Sequence, residues 1–177
     1  MEDAAQTDVT PLADENGGAT GSVAAGGGEL RLGNLAGLLG YHLRRAEVFA
    51  FQNFSAHLGP RAIGIGISPG QLGVLLLVEA NPGMNQTRIG KAIGIDRSTL
   101  VSIIDSLEKR QLIRREPSPT DRRSHALYLT ASGQNSGKAF LKNIRPHLTT
   151  HEGEIARNLS PEEQTLLMDL LRRIVTP

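Results

Sequence analysis

Residues 85–111, NQTRIGKAIGIDRSTLVSIIDSLEKRQ, carry the clearest indication of the fold. The first part of this stretch places Ile89 and Ile93 on one helical face, and Gly94 stands where a left-handed residue would end that helix. Asp96 has the position and chemistry of an N-cap for a second helix. Two helices joined by a turn of about three or four residues that contains glycine form a helix-turn-helix. The stretch therefore predicts a DNA-binding motif.

The second helix of this motif has one apolar face and one face of small polar side chains. Apolar residues recur at i, i+3, i+4 and i+7. They are Leu100, Ile103, Ile104 and Leu107. The side chains that this stripe leaves outside are Arg97, Ser98, Ser102, Asp105 and Ser106. Short hydrogen-bonding groups at the exposed start of a helix suit a major groove.

The residues predicted to contact DNA fall into two groups according to their helix. Hydroxyls and a guanidinium near the start of the second helix are expected to contact base edges or phosphates. These residues are Arg97, Ser98, Thr99 and Ser102. The first helix is expected to contact the DNA backbone through Thr87, Arg88 and Lys91.

Two short β-prone runs follow, at residues 112–116 and 125–130. They flank PSPTDRRS, a loop with two prolines and an arginine pair, and predict a β-hairpin wing. Arg122 and Arg123 at its tip are placed to enter a minor groove, where negative potential is focused. The alternative is a solvated turn.

Long helices are predicted on both sides of this lobe. Apolar residues recur at intervals of three and four over residues 30–58 and again after Thr130, which we expect to cap a helix with a bend at Pro146. Ser68 and Ser160 each precede a proline and have Gln or Glu at the capping-box position. The apolar stripes exceed what a small lobe can cover, which favours an intertwined homodimer.

The predicted fold class is therefore mainly α with a small β-hairpin wing (α+β). It is a winged helix-turn-helix with long flanking dimerisation helices. Residues 68–130 would form the DNA-binding lobe, and residues 30–58 and 131–177 the dimerisation helices of one domain over residues 30–177.

Charge is distributed unevenly along the 177 residues. Residues 1–29 contain six acids and no Lys or Arg, so nineteen basic residues face twelve acids in residues 30–177, a formal net charge of +7. Positive charge concentrated in residues 85–125 attracts polyanions, although a solvated charged face is the alternative. Residues 1–29, rich in Gly, Ala and acids, predict a disordered tail that either shields the basic part from non-specific DNA or is a passive extension.

Composition also excludes whole classes of protein. The chain has no cysteine, which removes disulfides, thiolate catalysis and cysteine-ligated zinc. Its longest unbroken apolar run, residues 74–78, is far shorter than the roughly 20 residues that cross a bilayer. No secretion signal is recognisable at the N-terminus. We expect a cytoplasmic protein with no membrane partner.

The chain resembles the MarR family of bacterial winged helix-turn-helix regulators from about Leu35 to the C-terminus. The matching motifs are IGIDRSTLVSIIDSLEKRQLIRRE (93–116), DRR (121–123), LTASG (129–133) and LSPEE (159–163). The resemblance implies dimerisation through the first and last two helices. It also implies binding to a pseudo-palindromic operator, usually as a repressor that a small molecule releases. By the same resemblance, Asp121 holds Arg123 through a salt bridge.

An aromatic cluster in the first long helix is the candidate effector site. Tyr41, Arg45 and Phe49 are spaced four apart and share a face, with His42 close by. Such a wall suits a ligand with an aromatic body and an anionic group. The ligand would be an aromatic carboxylate or an aryl-CoA thioester, whose phosphates would need further basic groups such as Arg44. The alternative is that these aromatics belong to the core and dimer interface.

Three alternatives to an effector-responsive regulator are a metal-binding protein, an enzyme, and a DNA-binding protein without an effector. His147 and His151 are four apart on a predicted helix but lack a third and fourth ligand, so we predict no metal. The chain carries no Gly-rich phosphate loop followed by Lys, no G-x-S-x-G elbow and no H-E-x-x-H motif, so we predict neither an enzyme nor a cofactor. A DNA-binding regulator or architectural dimer without a small-molecule effector is the remaining alternative.

Overall fold

The computed structural model describes residues 22–25, 28–60, 66–117, 125–131 and 136–176. It divides into two compact units, residues 1–45 and residues 46–177, which are described separately. Residues 1–21, most of the predicted tail, lie outside the described residues, as do Asp121, Arg122 and Arg123 of the predicted wing tip. The expectations for those residues stay predictions.

The first unit contains a short β-hairpin and the start of a long helix. Strand β1 (Ser22–Ala25) pairs antiparallel with β2 (Gly28–Arg31), a pairing that the composition of residues 1–29 does not indicate. A 3₁₀ helix over Gly33–Gly37 follows, and α1 spans Leu39–Leu58. The predicted helix start at residue 30 was therefore wrong. Its apolar spacing continues through β2 and the 3₁₀ helix, and Gly33, with φ of +55°, has the left-handed backbone that interrupts an α-helix.

The second unit builds the lobe from three helices and a small sheet. Helix α2 (Pro69–Ala80) is followed by β3 (Met84–Asn85), α3 (Gln86–Ile93) and α4 (Arg97–Lys109). Strands β4 (Ile113–Pro117) and β5 (His125–Leu129) form the predicted hairpin, and the sheet order is β3-β5-β4 with antiparallel pairing throughout. The sequence predicted two strands of this sheet. The third has two residues, too few to show an alternating pattern.

Helix ends in this unit follow the predicted capping chemistry. Ser68 and Gln71 form a complete capping box, as do Ser160 and Glu163. Gly94 ends α3 with φ of +72°, a left-handed value. These side chains and this glycine satisfy backbone groups that a helix leaves unpaired at its ends. The cap predictions at these positions are confirmed.

The last two helices are α5 (Gly137–Ile155) and α6 (Pro161–Val175). The prediction that Thr130 caps α5 was wrong, because its hydroxyl joins two other segments. It donates to the carbonyl of Gln111 at 2.6 Å and accepts from the N–H of Gly137 at 2.7 Å. The cap is Ser136, whose side chain accepts from Ala139. Helix α5 continues through Pro146.

The core of the second unit lies where the end of α1, helices α2, α3 and α4, the sheet and the first half of α5 meet. Its largest fully buried side chains are Leu58, Leu75, Ile89, Ile104, Leu107, Ile113, Leu127 and Leu141. By contrast, α6 has no buried residue. No helix in the described part of the chain is long and apolar enough to span a membrane.

Candidate DNA-binding face and effector cluster

Helices α3 and α4 meet in a tight turn whose geometry depends on glycine. The N–H groups of Gly94 and Ile95 both donate to the carbonyl of Gly90. Gly90 is buried, and a Cβ there would come within 2.9 Å of a Leu100 methyl. This close approach sets the second helix across the first, the arrangement that a helix-turn-helix requires.

Asp96 begins α4 and organises its first turn. Its Oδ1 accepts from the N–H groups of Ser98 and Thr99, each at 2.9 Å, and from the Ser98 hydroxyl at 2.6 Å. Hydrogen bonds from the Ser98 and Thr99 side chains and backbones hold the pKa of this carboxyl well below its usual range. The Ser98 hydroxyl proton is thus committed to Asp96, so Ser98 can offer DNA only acceptor lone pairs.

The predicted DNA-contacting residues that the structure describes are all exposed. They are Thr87, Arg88, Lys91, Arg97, Ser98, Thr99 and Ser102. Thr87, Lys91 and Arg97 line one recess of about 380 Å³ between α3 and α4. None of the three cations in this set forms an ion pair with another described residue. Their positive charge is therefore available to an anion such as a phosphate.

Two polar residues of α4 have roles that the sequence did not predict. Ser106, expected on the outer face, instead accepts a hydrogen bond from the Gln71 side chain at 3.1 Å, which joins α4 to α2. Asp105 forms an ion pair with Arg115 of β4. Helical periodicity identifies the outer face but not which elements pack beside its edges, so neither partner was predictable from spacing alone.

At the wing, the structure describes both strands but not the tip. The guanidinium of Arg114 lies 4.8 Å from the ring centroid of Tyr128, on the neighbouring strand, and pairs with Glu116. This contact joins β4 and β5 across the hairpin.

In the first unit, α1 brings together three residues of the predicted effector cluster. The Tyr41 and His42 rings are 5.4 Å apart in an edge-on arrangement, and the Arg45 guanidinium lies 5.9 Å from the Tyr41 centroid. His42 donates from Nε2 to the Ala36 carbonyl at 2.7 Å, because a carbonyl can only accept. The neutral imidazole then has no second N–H to offer an anionic ligand. Arg44 is exposed on the same helix.

Phe49 belongs to the part of α1 in the second unit, where its side chain is 43% exposed. Phe51 is also exposed, whereas Phe54 is buried against the ring of His151. The aromatic residues of α1 thus divide into surface and core members.

A polar network joins α1 to α5. Glu154 accepts from the Asn53 amide at 2.5 Å and lies 3.1 Å from His57 Nε2, and these bonds lower the pKa of its carboxyl. Because the amide nitrogen of Asn53 donates to Glu154, its oxygen accepts from His151 Nδ1 at 2.7 Å. His151 is thus bound to Asn53. The described residues contain no group of three or more His, Asp or Glu placed to hold a metal.

Comparison with known proteins agrees with this geometry. A family model described as the MarR family matches residues 65–124, which include α2, α3 and α4. A protein of Thauera aromatica, named as a transcriptional regulatory protein for the hcr operon, is 35% identical over 146 residues, which cover 82% of this chain and 84% of that protein.

Two solved structures of the transcriptional repressor CouR are also similar. The one bound to a 23-mer DNA duplex has a TM-score of 0.74 and 39% identity, covering 84% of this chain and 100% of that one. The one bound to p-coumaroyl-CoA has a TM-score of 0.69 and 37% identity, covering 82% and 97%. The helix-turn-helix, the wing sheet and these relatives together lead to one conclusion: the chain belongs to the MarR family and is a DNA-binding transcriptional regulator, not an enzyme.

Proposed function

We propose that this regulator is a homodimeric repressor that binds a pseudo-palindromic operator and is released by an anionic aromatic effector. The observation that carries the DNA-binding part is the set of exposed cations on α3 and α4 that form no ion pair with another described residue, with Lys91 and Arg97 beside one recess. The effector part rests on the Tyr41–Arg45 pair and on the similarity to CouR, which was solved with an aryl-CoA thioester.

In this proposal, residues 68–130 bind the operator. Arg97, Thr99 and Ser102 contact bases or phosphates in the major groove, Ser98 contributes as an acceptor, and the backbone contacts come from Thr87, Arg88 and Lys91. Arg122 or Arg123 enters the minor groove, with Asp121 holding Arg123. Two copies of the lobe bind half-sites separated by about 34 Å, one turn of DNA.

Dimerisation is supported by the apolar residues that α6 exposes. Leu166, Leu167, Leu170 and Leu171 each expose at least 40% of their surface, and Ile174 exposes half. A continuous apolar stripe of this kind is costly in water and is covered in the proposed homodimer. Residues 30–58 and 131–177 are the segments proposed to form that interface.

The similarity to CouR, solved with p-coumaroyl-CoA bound, leads us to propose an aryl-CoA thioester rather than a free aromatic carboxylate as the effector. An aryl group would pack on Tyr41, and Arg44 and Arg45 would meet the anionic groups. The His42 ring would pack against the ligand. As a neutral imidazole it would donate no hydrogen bond to the ligand, since its one N–H donates to the Ala36 carbonyl. Phe49 remains a predicted member of the cluster from its spacing on α1.

The test is fluorescence anisotropy of the protein on a duplex from its own upstream intergenic region. Each of several aromatic acids is titrated beside its own CoA thioester, with free CoA and acetyl-CoA as controls. Release by a thioester but not by its acid, CoA or acetyl-CoA would support the proposal, and Arg44→Gln should then require more thioester. Release by the free acid would identify an aromatic carboxylate as the effector. Tight binding that no compound disturbs would favour the regulator without an effector.

A further inference from the structure

Arg115, in strand β4 of the wing, is bound to the recognition helix α4 through three atoms. Its guanidinium Nη1 donates to Glu108 Oε2 at 2.6 Å, and Nη2 pairs with Asp105 Oδ1. Its backbone N–H donates to the other Glu108 oxygen at 3.2 Å. Side chain and backbone of one wing residue thus contact two successive carboxylates of α4.

The chemistry of this contact requires arginine. Asp105 and Glu108 stand at i and i+3, so both carboxylates lie on one side of α4. A planar guanidinium presents its N–H donors in a fixed fork and can bind both, whereas a lysine ammonium is a compact charge on a flexible stem. The Arg115 side chain is only 22% exposed, so its ion pairs are less screened by water than surface pairs.

The position of the contact matters as much as its strength. The chain between α4 and β4 includes Gln111, the one non-glycine among the described residues with positive φ, at +58°. Beyond this turn, Arg115 joins the last two turns of α4 to the strand that leads into the wing loop. Arg115 therefore connects α4, which is proposed to enter the major groove, with the β4–β5 hairpin, whose tip is proposed to enter the minor groove.

We infer that Arg115 is a positioning residue for DNA binding: it sets the wing relative to the recognition helix so that both meet the operator together. The inference rests on the proposed role of the wing. Specific binding requires both elements at fixed separation, whereas non-specific binding depends on total charge. Arg115 therefore controls the discrimination between operator and other DNA.

Charge alone predicts the opposite result for one substitution. Glu108→Ala removes a negative charge near the DNA-binding face, so electrostatics would tighten binding to every duplex. Loss of the Arg115 contact instead weakens binding to the operator only. Alanine has the highest helix propensity, so α4 itself should persist.

The experiment compares operator and scrambled duplexes of equal length by anisotropy, with unfolding followed by circular dichroism. The variants are Glu108→Ala and Arg115→Lys, which keeps the charge but loses the fork. We expect both to weaken operator binding about tenfold, the order of one mismatched base pair, and to change scrambled-duplex binding less than about twofold. A matched control is Glu79→Ala, since Glu79 accepts two bonds from Arg145, at 2.8 and 2.9 Å, between α2 and α5. Glu79→Ala should change neither operator binding nor scrambled-duplex binding.

The outcomes separate this inference from the wing assignment. If Glu108→Ala tightens or preserves operator binding in a folded protein, Arg115 does not position the wing. If Arg123→Ala weakens operator binding while Glu108→Ala and Arg115→Lys bind normally, the wing assignment stands and this inference alone fails. If Arg123→Ala has no effect, the wing assignment itself is wrong. Where the inference holds, Arg123→Ala should reduce operator affinity by a smaller factor in the Arg115→Lys variant than in the wild type.

Discussion

Asp96 places a charged carboxylate at the start of the recognition helix. Its oxygen accepts three hydrogen bonds from Ser98 and Thr99, and a negative charge there also interacts favourably with the helix dipole. The sequence alone identified this cap, because Asp before an amphipathic run is a local signal. The engagement of the Ser98 hydroxyl by the cap depends on a rotamer, which spacing does not specify.

The first prediction concerns the pH dependence of this cap. The folded-state pKa of Asp96 is depressed, so the charged form stabilises the fold above the carboxyl's unfolded pKa, and that contribution is lost as pH falls through the folded value. Asp96→Asn keeps an acceptor but cannot titrate. The wild type should be more stable than the variant near neutral pH, and the difference should shrink as pH falls from about 5 to about 2. Thermal unfolding at stepped pH measures it, and a constant difference would contradict the assignment.

The second prediction distinguishes two serines on α4. The hydroxyl of Ser98 donates to Asp96, whereas Ser102 is exposed and no hydrogen bond of its side chain to another described residue is present. Ser102→Ala should therefore change the preference among operator variants more than Ser98→Ala does. A library of duplexes with each half-site base pair substituted would measure both. Equal profiles for the two variants and the wild type would show that other residues contact the bases.

At the scale of elements, α5 contains two glycines in contrasting surroundings. Gly137 begins the helix, and a Cβ there would clash with the carbonyl of Leu112, the residue just before β4. Gly153 lies in the same helix, and a Cβ there would meet nothing within 4 Å. The first glycine permits close packing of helix and strand, while the second has no such requirement.

The third prediction uses this pair as its own control. Gly137→Ala should destabilise the protein by about 1–3 kcal/mol, since the backbone must move to admit the methyl group. Gly153→Ala should stabilise it by about 0.5–1 kcal/mol, because alanine is the better helix former. Chemical denaturation gives both values. A neutral Gly137→Ala would mean that the Leu112 segment yields more easily than the packing indicates.

Elements differed in how well their sequence predicted them. Helices α2, α4 and α6 were predicted closely because a capping residue and an apolar stripe coincide at each. The starts of α1 and α5 were misplaced. The left-handed backbone of Gly33 interrupts the apolar spacing before Leu39, and at Thr130 contacts with other segments override the helical signal. Thr130 instead forms hydrogen bonds with Gln111 and Gly137, which lie 19 and 7 residues away in sequence and which the fold brings beside it.

For the whole molecule, the proposed homodimer depends on the apolar face of α6. Five of its seven exposed large apolar residues share one side of the helix, and Thr165 lies on the opposite side. In a monomer this face would remain in water. The proposed homodimer buries it.

The fourth prediction tests that assembly. Leu170→Glu should convert the dimer to monomer and lose operator binding, because one charge per copy would be buried in an apolar interface. Thr165→Glu adds the same charge to the opposite side of the same helix and should leave both properties unchanged. Light scattering coupled to size exclusion gives the mass. A dimeric Leu170→Glu variant would place the interface elsewhere.

The helix-turn-helix, its caps, the wing strands and the basic character of the DNA-binding face were predictable from sequence, because each depends on residues close together along the chain. The sequence also predicted which polar residues would contact DNA. The contacts between elements emerged only once the packing was known: Ser106 with Gln71, Asp105 and Glu108 with Arg115, and His151 with Asn53. Those partners come from separate elements, and their distances depend on packing that no local pattern encodes.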